Sequence, residues 1–192
     1  MLVESSKLTA LFVCDPFVAN SAMHPARLTT DELLASCVVR AQRRGGPGGQ
    51  HRNKVETAVV IEHMPSGLRA EASERRSQAD NRRMATMRLR LLLALEHREC
   101  NEVMEGNIGP ASPRWRSRVS GTRIDVSTEH DDFPAILAEL LDGLHTLAFD
   151  MSQAGKHFEV TSSQLVNLLR SHPPALTLVN TKRIELGLHR LR

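Results

Sequence analysis

The sequence predicts an α+β fold, in which a small mixed sheet and a long helix carrying a glycine-rich loop are followed by a small all-α C-terminal domain. Three observations support this prediction. Residues 37–73 alternate β-rich runs with turn residues. Residues 77–100 contain no glycine or proline, as expected of an uninterrupted helix. Leucines at helical spacing recur after residue 132.

The sheet elements can be predicted in order along the chain. Residues 30–32 have the composition of a helix start, and residues 37–42 follow as a strand that leads into the glycine-rich segment. Residues 56–63 are β-rich, residues 64–67 form a turn, and residues 68–73 return as the hairpin partner. The glycine-rich loop would therefore hang from the sheet.

The long helix is predicted to start at Ser77, because Asp80 follows it at the spacing of a capping box. One face of this helix has apolar residues at helical spacing, and we expect it to be the core face: Met84, Met87, Leu91 and Leu95. Another edge has basic residues spaced by seven, and we expect it to be exposed: Arg83, Arg90 and His97.

The C-terminal part is predicted to be helical. Asp132 is placed to cap a helix with Pro134 in its first turn, and a second helix would begin at residues 161–162 and end at residues 173–174. Residues 180–192 suggest a short amphipathic helix or turn. The triplet His130-Asp131-Asp132 is interpreted as capping and loop chemistry, because no further ligands stand beside it at metal-site spacing.

Composition limits the class of protein. The 192 residues are 41% hydrophobic, which is enough for a core, and the three cysteines are odd in number with no C-x-x-C spacing. We therefore expect a reducing, cytoplasmic location and neither a metal nor a cofactor. The apolar stretch 8–14 is too short to span a bilayer, and we expect no membrane association. Translation could equally begin at Met23, which would make residues 1–22 an over-long start.

Charge is unevenly distributed along the chain. The net charge is only +3, but residues 40–54, 75–90 and 114–123 are strongly basic, whereas residues 125–159 hold eight acids and one lysine. Basic residues comprise 21 arginines and 4 lysines. Arginine suits planar contacts with phosphate, although a GC-rich genome would produce the same bias. The basic runs indicate a polyanionic partner such as RNA.

Residues 43–54 are the most informative segment, reading Arg-Arg-Gly-Gly-Pro-Gly-Gly-Gln-His-Arg-Asn-Lys. Four glycines around Pro47 leave a bare backbone that another molecule can approach closely, and the flanking cations place it in a positive field. Neither a P-loop nor a dinucleotide-binding fingerprint fits these residues. From the residues alone, a phosphate cradle and a disordered RNA-binding tract both remain open.

Several ordered blocks resemble one family, the catalytic domain of the class I peptide chain release factors and of their stand-alone relatives, the codon-independent ribosome-rescue hydrolases. The blocks that match this family's pattern are Arg43, residues 46–54, residues 56–59, residues 64–67, residues 74–78, Asn81-Arg82 and Ala85. Departures stand at Gly45, Arg52 and Val55, where the family usually has other residues. The resemblance makes residues 27–105 the catalytic domain and leaves residues 1–26 as an arm or over-long start. The composition of residues 106–124 predicts a basic linker, and the pattern of residues 125–192 predicts a helical domain.

The resemblance implies a mechanism: hydrolysis of the ester that joins a nascent peptide to the P-site tRNA. The catalytic residues would be Gly48, Gly49 and Gln50. The backbone N–H of Gln50 would donate to charge developing on oxygen in the transition state. Its side chain would shape the water pocket and be the target of a glutamine methyltransferase. His51 is interpreted as supporting the loop, with ribosomal RNA supplying most catalytic groups.

RNA contacts are expected from the loop, the long helix and the linker. The residues we assign to RNA binding are Arg43, Arg44, His51, Arg52, Asn53, Lys54, Arg75, Arg76, Arg82, Arg83, Arg90, Arg114, Trp115, Arg116 and Arg118. Two alternatives remain: the helix arginines could simply solvate an exposed face, and Trp115 could dock the linker onto a core instead of stacking on a base.

The partners implied by the resemblance are the ribosome, P-site peptidyl-tRNA and the methyltransferase, and we expect a monomer. The sequence has no Pro-x-Thr or Ser-Pro-Phe tripeptide and no N-terminal coiled-coil domain, so stop-codon reading is not expected. Two other functions remain possible: a ribosome-binding or RNA-binding factor whose loop is not catalytic, and a hydrolase of free peptidyl-tRNA. A hydrolase of free peptidyl-tRNA would need its own catalytic acid and base, which the sequence does not show.

Overall fold

A computed structural model of the protein describes residues 23–42, 57–98 and 110–192. Across these three ranges, no helix combines the length and apolar character needed to cross a membrane. The described residues form a three-stranded sheet, a two-stranded hairpin and seven α-helices. The α+β prediction is confirmed.

The main sheet positions the glycine-rich loop. Its strands are β1 (Cys37–Gln42), β2 (Ala58–His63) and β3 (Arg69–Ala72), in the order β1-β2-β3. Both pairings are antiparallel, so the three described strands form an antiparallel sheet where a mixed sheet was predicted. Gln42 is the register partner of Ala58. The chain therefore leaves the sheet for the loop and rejoins it at the same end, so that the sheet carries the loop.

The first helical elements lie before the sheet. A short 3-10 helix (Pro25–Arg27) precedes α1 (Thr30–Ala35), whose start is stabilised by a complete capping box between Thr29 and Glu32. The predicted helix start at residues 30–32 is confirmed. The predicted turn at residues 64–67 is also present, with Gly67 at a φ of 67°.

The long helix α2 (Gln78–Glu96) covers one face of the sheet, and Ser77 caps it by accepting from the Asp80 N–H as predicted. Its buried residues include Asn81, Ala85, Leu89 and Leu93, which recur every four residues. The predicted core face is wrong in register: Met84, Met87, Leu91 and Leu95 are only partly buried beside the core. The expected exposed edge is also wrong at Arg90, which is 5% exposed.

Residues 110–124, within the segment that we predicted to be a basic linker, form short folded elements. They form α3 (Pro113–Ser117) and a hairpin of β4 (Val119–Ser120) and β5 (Arg123–Ile124). Trp115 of α3 is fully buried, its ring centroid lies 4.3 Å from that of Phe158, and its indole N–H donates to the Phe158 carbonyl at 3.0 Å. Its burial in the core explains why this segment is ordered.

The C-terminal helices complete the core. They are α4 (Phe133–Thr146), α5 (Met151–His157), α6 (Ser162–Ser171) and α7 (Pro173–Glu185). Helix α4 packs on α2, and their buried residues belong to one continuous hydrophobic cluster. The prolines 173–174 end α6 as expected but also begin α7, so residues 180–185 are the end of a longer helix. Helix α5 was not predicted.

The segment before α1 is held on the core by a neutral histidine. His24 is fully buried; its Nδ1 accepts from the Ala26 N–H at 3.1 Å, which leaves the proton on Nε2, 3.2 Å from the His97 carbonyl oxygen. Burial lowers the pKa of His24 from 6.5 to about 3. The charged form is disfavoured because Nδ1 already faces a donor.

We predict that Trp115→Ala lowers the free energy of unfolding by about 3–5 kcal/mol, because it removes a buried aromatic ring and leaves the Phe158 carbonyl without its donor. Urea denaturation followed by circular dichroism measures this. The exposed neighbour variant Arg116→Ala should change stability by no more than about 0.5 kcal/mol. Equal stability of the two variants would contradict the buried position of Trp115.

We predict a pH dependence from His24. Its pKa is lowered in the folded state, so the unfolded chain binds the extra proton, and stability falls as the pH drops from 6.5 towards 3. The loss from this group alone is roughly 2 kcal/mol at pH 5. His24→Asn keeps a hydrogen-bond acceptor and removes the titrating group. The slope of the unfolding free energy against pH should therefore decrease by the contribution of about one proton. The exposed control His189→Asn should not change it, and an unchanged slope in His24→Asn would refute the assignment.

Candidate nucleic-acid interface at the end of the sheet

The candidate site lies where the glycine-rich loop meets the sheet. The described residues at this end are Gln42, where β1 stops, and Thr57 and Ala58, where the chain rejoins β2. The predicted catalytic residues Gly48, Gly49 and Gln50 lie outside the described residues. So do six of the predicted RNA-binding residues: Arg43, Arg44, His51, Arg52, Asn53 and Lys54.

A buried asparagine of α2 holds the returning end of this loop. Asn81 is fully buried, and its Nδ2 donates to the Thr57 carbonyl at 2.7 Å and to the Arg75 carbonyl at 2.8 Å. Its Oδ1 accepts from the Arg75 N–H at 2.9 Å. One side chain thus joins the start of β2 to the turn before α2. Asn81 stood in the family pattern but was not predicted as a site residue.

The turn before α2 is also held from its other side. Arg88 donates to the Glu71 carbonyl at 2.7 Å and pairs with the Glu74 carboxylate at 2.8 Å. The second oxygen of Glu74 accepts from the Ser73 N–H at 2.9 Å. The hydrogen bond from Arg88 lowers the pKa of Glu74. Residues 73–76 are therefore fixed relative to both β3 and α2.

Four exposed arginines surround this fixed turn, and we call them the arginine rim: Arg75, Arg76, Arg82 and Arg83. Within the described ranges, none of them forms an ion pair. The rim adjoins the end of the loop, because Asn81 bonds the Thr57 and Arg75 carbonyls with the same nitrogen. Exposed guanidinium groups around a fixed backbone can make bidentate contacts with phosphate.

Three other predicted RNA-binding arginines form contacts within the protein. Arg90 donates to the Ala26 carbonyl at 3.1 Å and the Asp131 carbonyl at 2.7 Å. Arg114 donates to the Arg27 carbonyl at 2.9 Å and pairs with Asp132 at 3.3 Å. Arg118 donates to the other Asp132 oxygen at 2.6 Å. These three hold α2, α3 and the start of α4 together.

Two further predicted residues lie on α3. Trp115 is buried, so its assignment to base stacking is wrong and the alternative, docking onto the core, is confirmed. Arg116 is exposed and stays a predicted RNA contact.

The acidic triplet at the start of α4 has a structural role. Asp132 is the N-cap residue of α4, but its side chain makes no capping hydrogen bond and instead binds Arg114 and Arg118. His130 lies 2.9 Å from Arg118 and accepts from the Asp132 N–H at 3.0 Å. In the described part of the chain, no group of three or more His, Cys, Asp or Glu side chains is arranged to hold a metal ion.

Comparison with known proteins identifies the family. Residues 31–127 match the family model described as RF-1 domain, and this segment includes the loop, Asn81 and the arginine rim. The chain therefore belongs to the family of proteins with a class I peptide chain release factor domain, and the resemblance in the sequence is confirmed.

Individual relatives cover only part of the chain. It is 39% identical over 114 residues to peptide chain release factor 1 of Chloroherpeton thalassium, covering 53% of this chain and 30% of that protein. It is 43% identical over 70 residues to a peptide chain release factor homolog of Escherichia coli, covering 35% and 32%. It is 38% identical over 79 residues to the chloroplastic peptide chain release factor PrfB1 of Arabidopsis thaliana, covering 40% and 17%. The matched segment thus spans at most about a third of these relatives.

We predict that Asn81→Ala destabilises the protein by about 2–4 kcal/mol, because the Thr57 carbonyl and the Arg75 N–H and carbonyl all lose their buried partner. Thermal and urea unfolding measure the loss. Asn167→Ala is the matched control, since Asn167 is exposed on α6 and bonds only Arg170 among the described contacts. A loss as small as that of the control would show that the Asn81 hydrogen bonds contribute little to stability.

Proposed function

We propose that this chain hydrolyses the ester between a nascent peptide and the P-site tRNA on the ribosome, without reading a stop codon. The observation that carries the proposal is the placement of Gly48-Gly49-Gln50 in the loop between β1 and β2, in a chain of the release factor domain family. The names of the relatives support a role in translation termination; the codon-independent form is our inference.

The chemistry follows from a donor held where charge develops. As the ester is attacked, negative charge builds on the carbonyl oxygen and then on the leaving 3′-oxygen of the tRNA. A preorganised backbone N–H at Gln50 stabilises that charge, and the absence of side chains at Gly48 and Gly49 lets the backbone approach. Water supplies the new oxygen on the peptide, and its proton passes to the leaving 3′-oxygen.

The ribosome supplies the rest of the site. Among the described residues near the base of the loop, we find exposed guanidinium groups and no pair of side chains arranged as general acid and general base. This composition suits docking on RNA better than hydrolysis by the protein alone. The arginine rim would neutralise ribosomal RNA phosphates beside the loop, and the predicted cations from Arg43 to Lys54 would extend the same surface. No metal or cofactor takes part in this proposal.

Codon independence is supported by the sequence outside the loop. The 192 residues contain neither a Pro-x-Thr nor a Ser-Pro-Phe tripeptide. After the matched segment ends at residue 127, the chain continues as α4 to α7, and α4 packs directly on α2. We extend the proposal to a cytoplasmic monomer whose Gln50 is methylated by a glutamine methyltransferase.

The test is release of labelled peptide from purified ribosomes with an empty A site, a sense codon or a stop codon. Gly49→Ala should lower the release rate by about 10²-fold or more, because a Cβ in the loop displaces the donor. Gly187→Ala is the control: it adds the same methyl group at a φ of 74° with open space around it, at the end of α7, and should keep the rate.

Four outcomes separate the alternatives. Release that is independent of the stop codon and lost in Gly49→Ala supports the proposal. Release only at a stop codon overturns codon independence. Binding to ribosomes with no release from any complex indicates a factor with a non-catalytic loop, and release of free peptidyl-tRNA in solution indicates a ribosome-independent hydrolase.

A further inference from the structure

Asn81 joins two segments that both belong to the interface but are distant in sequence. Its amide nitrogen has two hydrogens, and one is given to the Thr57 carbonyl at 2.7 Å and the other to the Arg75 carbonyl at 2.8 Å. Its oxygen accepts from the Arg75 N–H at 2.9 Å. Thr57 adjoins the loop, and Arg75 is the first residue of the arginine rim.

The chemistry of this position requires an amide. Two carbonyl oxygens face Nδ2 and one N–H faces Oδ1, so the orientation of the side chain is fixed. A carboxylate would place negative charge against both carbonyls, and an apolar side chain would leave three backbone groups without these partners. Helix formation does not explain asparagine at this position, because asparagine has a low helix propensity. The Asn81 backbone N–H donates to the Ser77 carbonyl at 3.1 Å, as any residue except proline could at this position.

The other contact to the turn is weaker. Arg88 and Glu74 are both roughly half exposed, at 43% and 50%, and an exposed ion pair contributes little and is screened by salt. The Asn81 side chain is fully buried, so its hydrogen bonds are better shielded from water than the exposed ion pair. The relative position of Thr57 and the turn therefore depends mainly on Asn81.

We infer that Asn81 is a positioning residue that holds Thr57, the first described residue after the Gly-Gly-Gln segment, in fixed register with Arg75 and Arg76, and that peptide release depends on this register. This inference rests on the proposed function. Asn81 touches no substrate; it acts through Thr57 and Arg75. A displacement of about 1 Å at a reacting centre can cost about 10²-fold in rate, so loss of this register should appear in the rate of release.

The test is a double-mutant cycle on peptide release, with kcat and the half-saturating ribosome concentration measured separately. Wild type is compared with Asn81→Asp, Arg76→Ala and the double variant, after circular dichroism shows that each is folded at the assay temperature. Asn81→Asp should lower kcat at least 10-fold. The double variant should lie within about threefold of the slower single variant, because both changes disturb the same alignment.

A stability control separates positioning from folding. Trp115→Phe removes the donor to the Phe158 carbonyl in the core and should keep wild-type kcat while it is folded. If Asn81→Asp does not fold, Asn81→Ser, whose smaller side chain leaves room for a water molecule, takes its place in the cycle.

Three results would overturn the inference. The first is a folded Asn81 variant whose kcat is within twofold of wild type, and the second is a double variant in which the two single effects multiply. The third is a kcat of Trp115→Phe as low as that of the Asn81 variant. If the wild-type protein releases no peptide, the proposed function fails, and the same four proteins are compared by their affinity for purified ribosomes. Additive losses of affinity would overturn the inference, whereas non-additive losses would support it.

Discussion

A buried amide on α2 is the constraint on which the interface depends. The carbonyl of Thr57 lies where the chain re-enters the sheet, and inside the protein it needs a donor. Asn81 supplies it, and with the same group it fixes the backbone of Arg75. The sheet alone aligns the loop through the pairing of Gln42 with Ala58. Asn81 adds the alignment between Thr57 and the helix that bears Arg82 and Arg83.

A second set of contacts makes the C-terminal helices part of the same core. Arg90, Arg114 and Arg118 reach backbone or carboxylate oxygens around the start of α4, and Glu139 of α4 accepts from the backbone N–H of Ser112 at 2.6 Å. These contacts cross between α2, α3 and α4. Arginine suits this use, because its several N–H donors can satisfy separate acceptors at once.

The sequence predicted the elements that depend on local patterns. The strands, the turn at residues 64–67 and the helix starts at Ser77 and Thr161 follow from alternation and capping, which act over a few residues. The core face of α2 was misassigned because Arg90 is charged yet buried, and its acceptors at residues 26 and 131 are distant in sequence. Composition cannot distinguish such an arginine from one that binds RNA. The role of Asn81 was not predicted, and two roles stayed open for Trp115, because their partners at residues 57 and 158 are known only from the fold.

The central claim is that the Gly48-Gly49-Gln50 backbone acts at the ester of P-site peptidyl-tRNA. The most direct measurement is a structure of the protein bound to a stalled ribosome whose peptidyl-tRNA carries a non-hydrolysable amide in place of the ester. We predict that the Gln50 backbone N–H lies within hydrogen-bonding reach, about 3 Å, of the 3′-position of the terminal tRNA nucleotide, with the arginine rim on ribosomal RNA phosphates. A loop bound away from the peptidyl-transferase centre would contradict it.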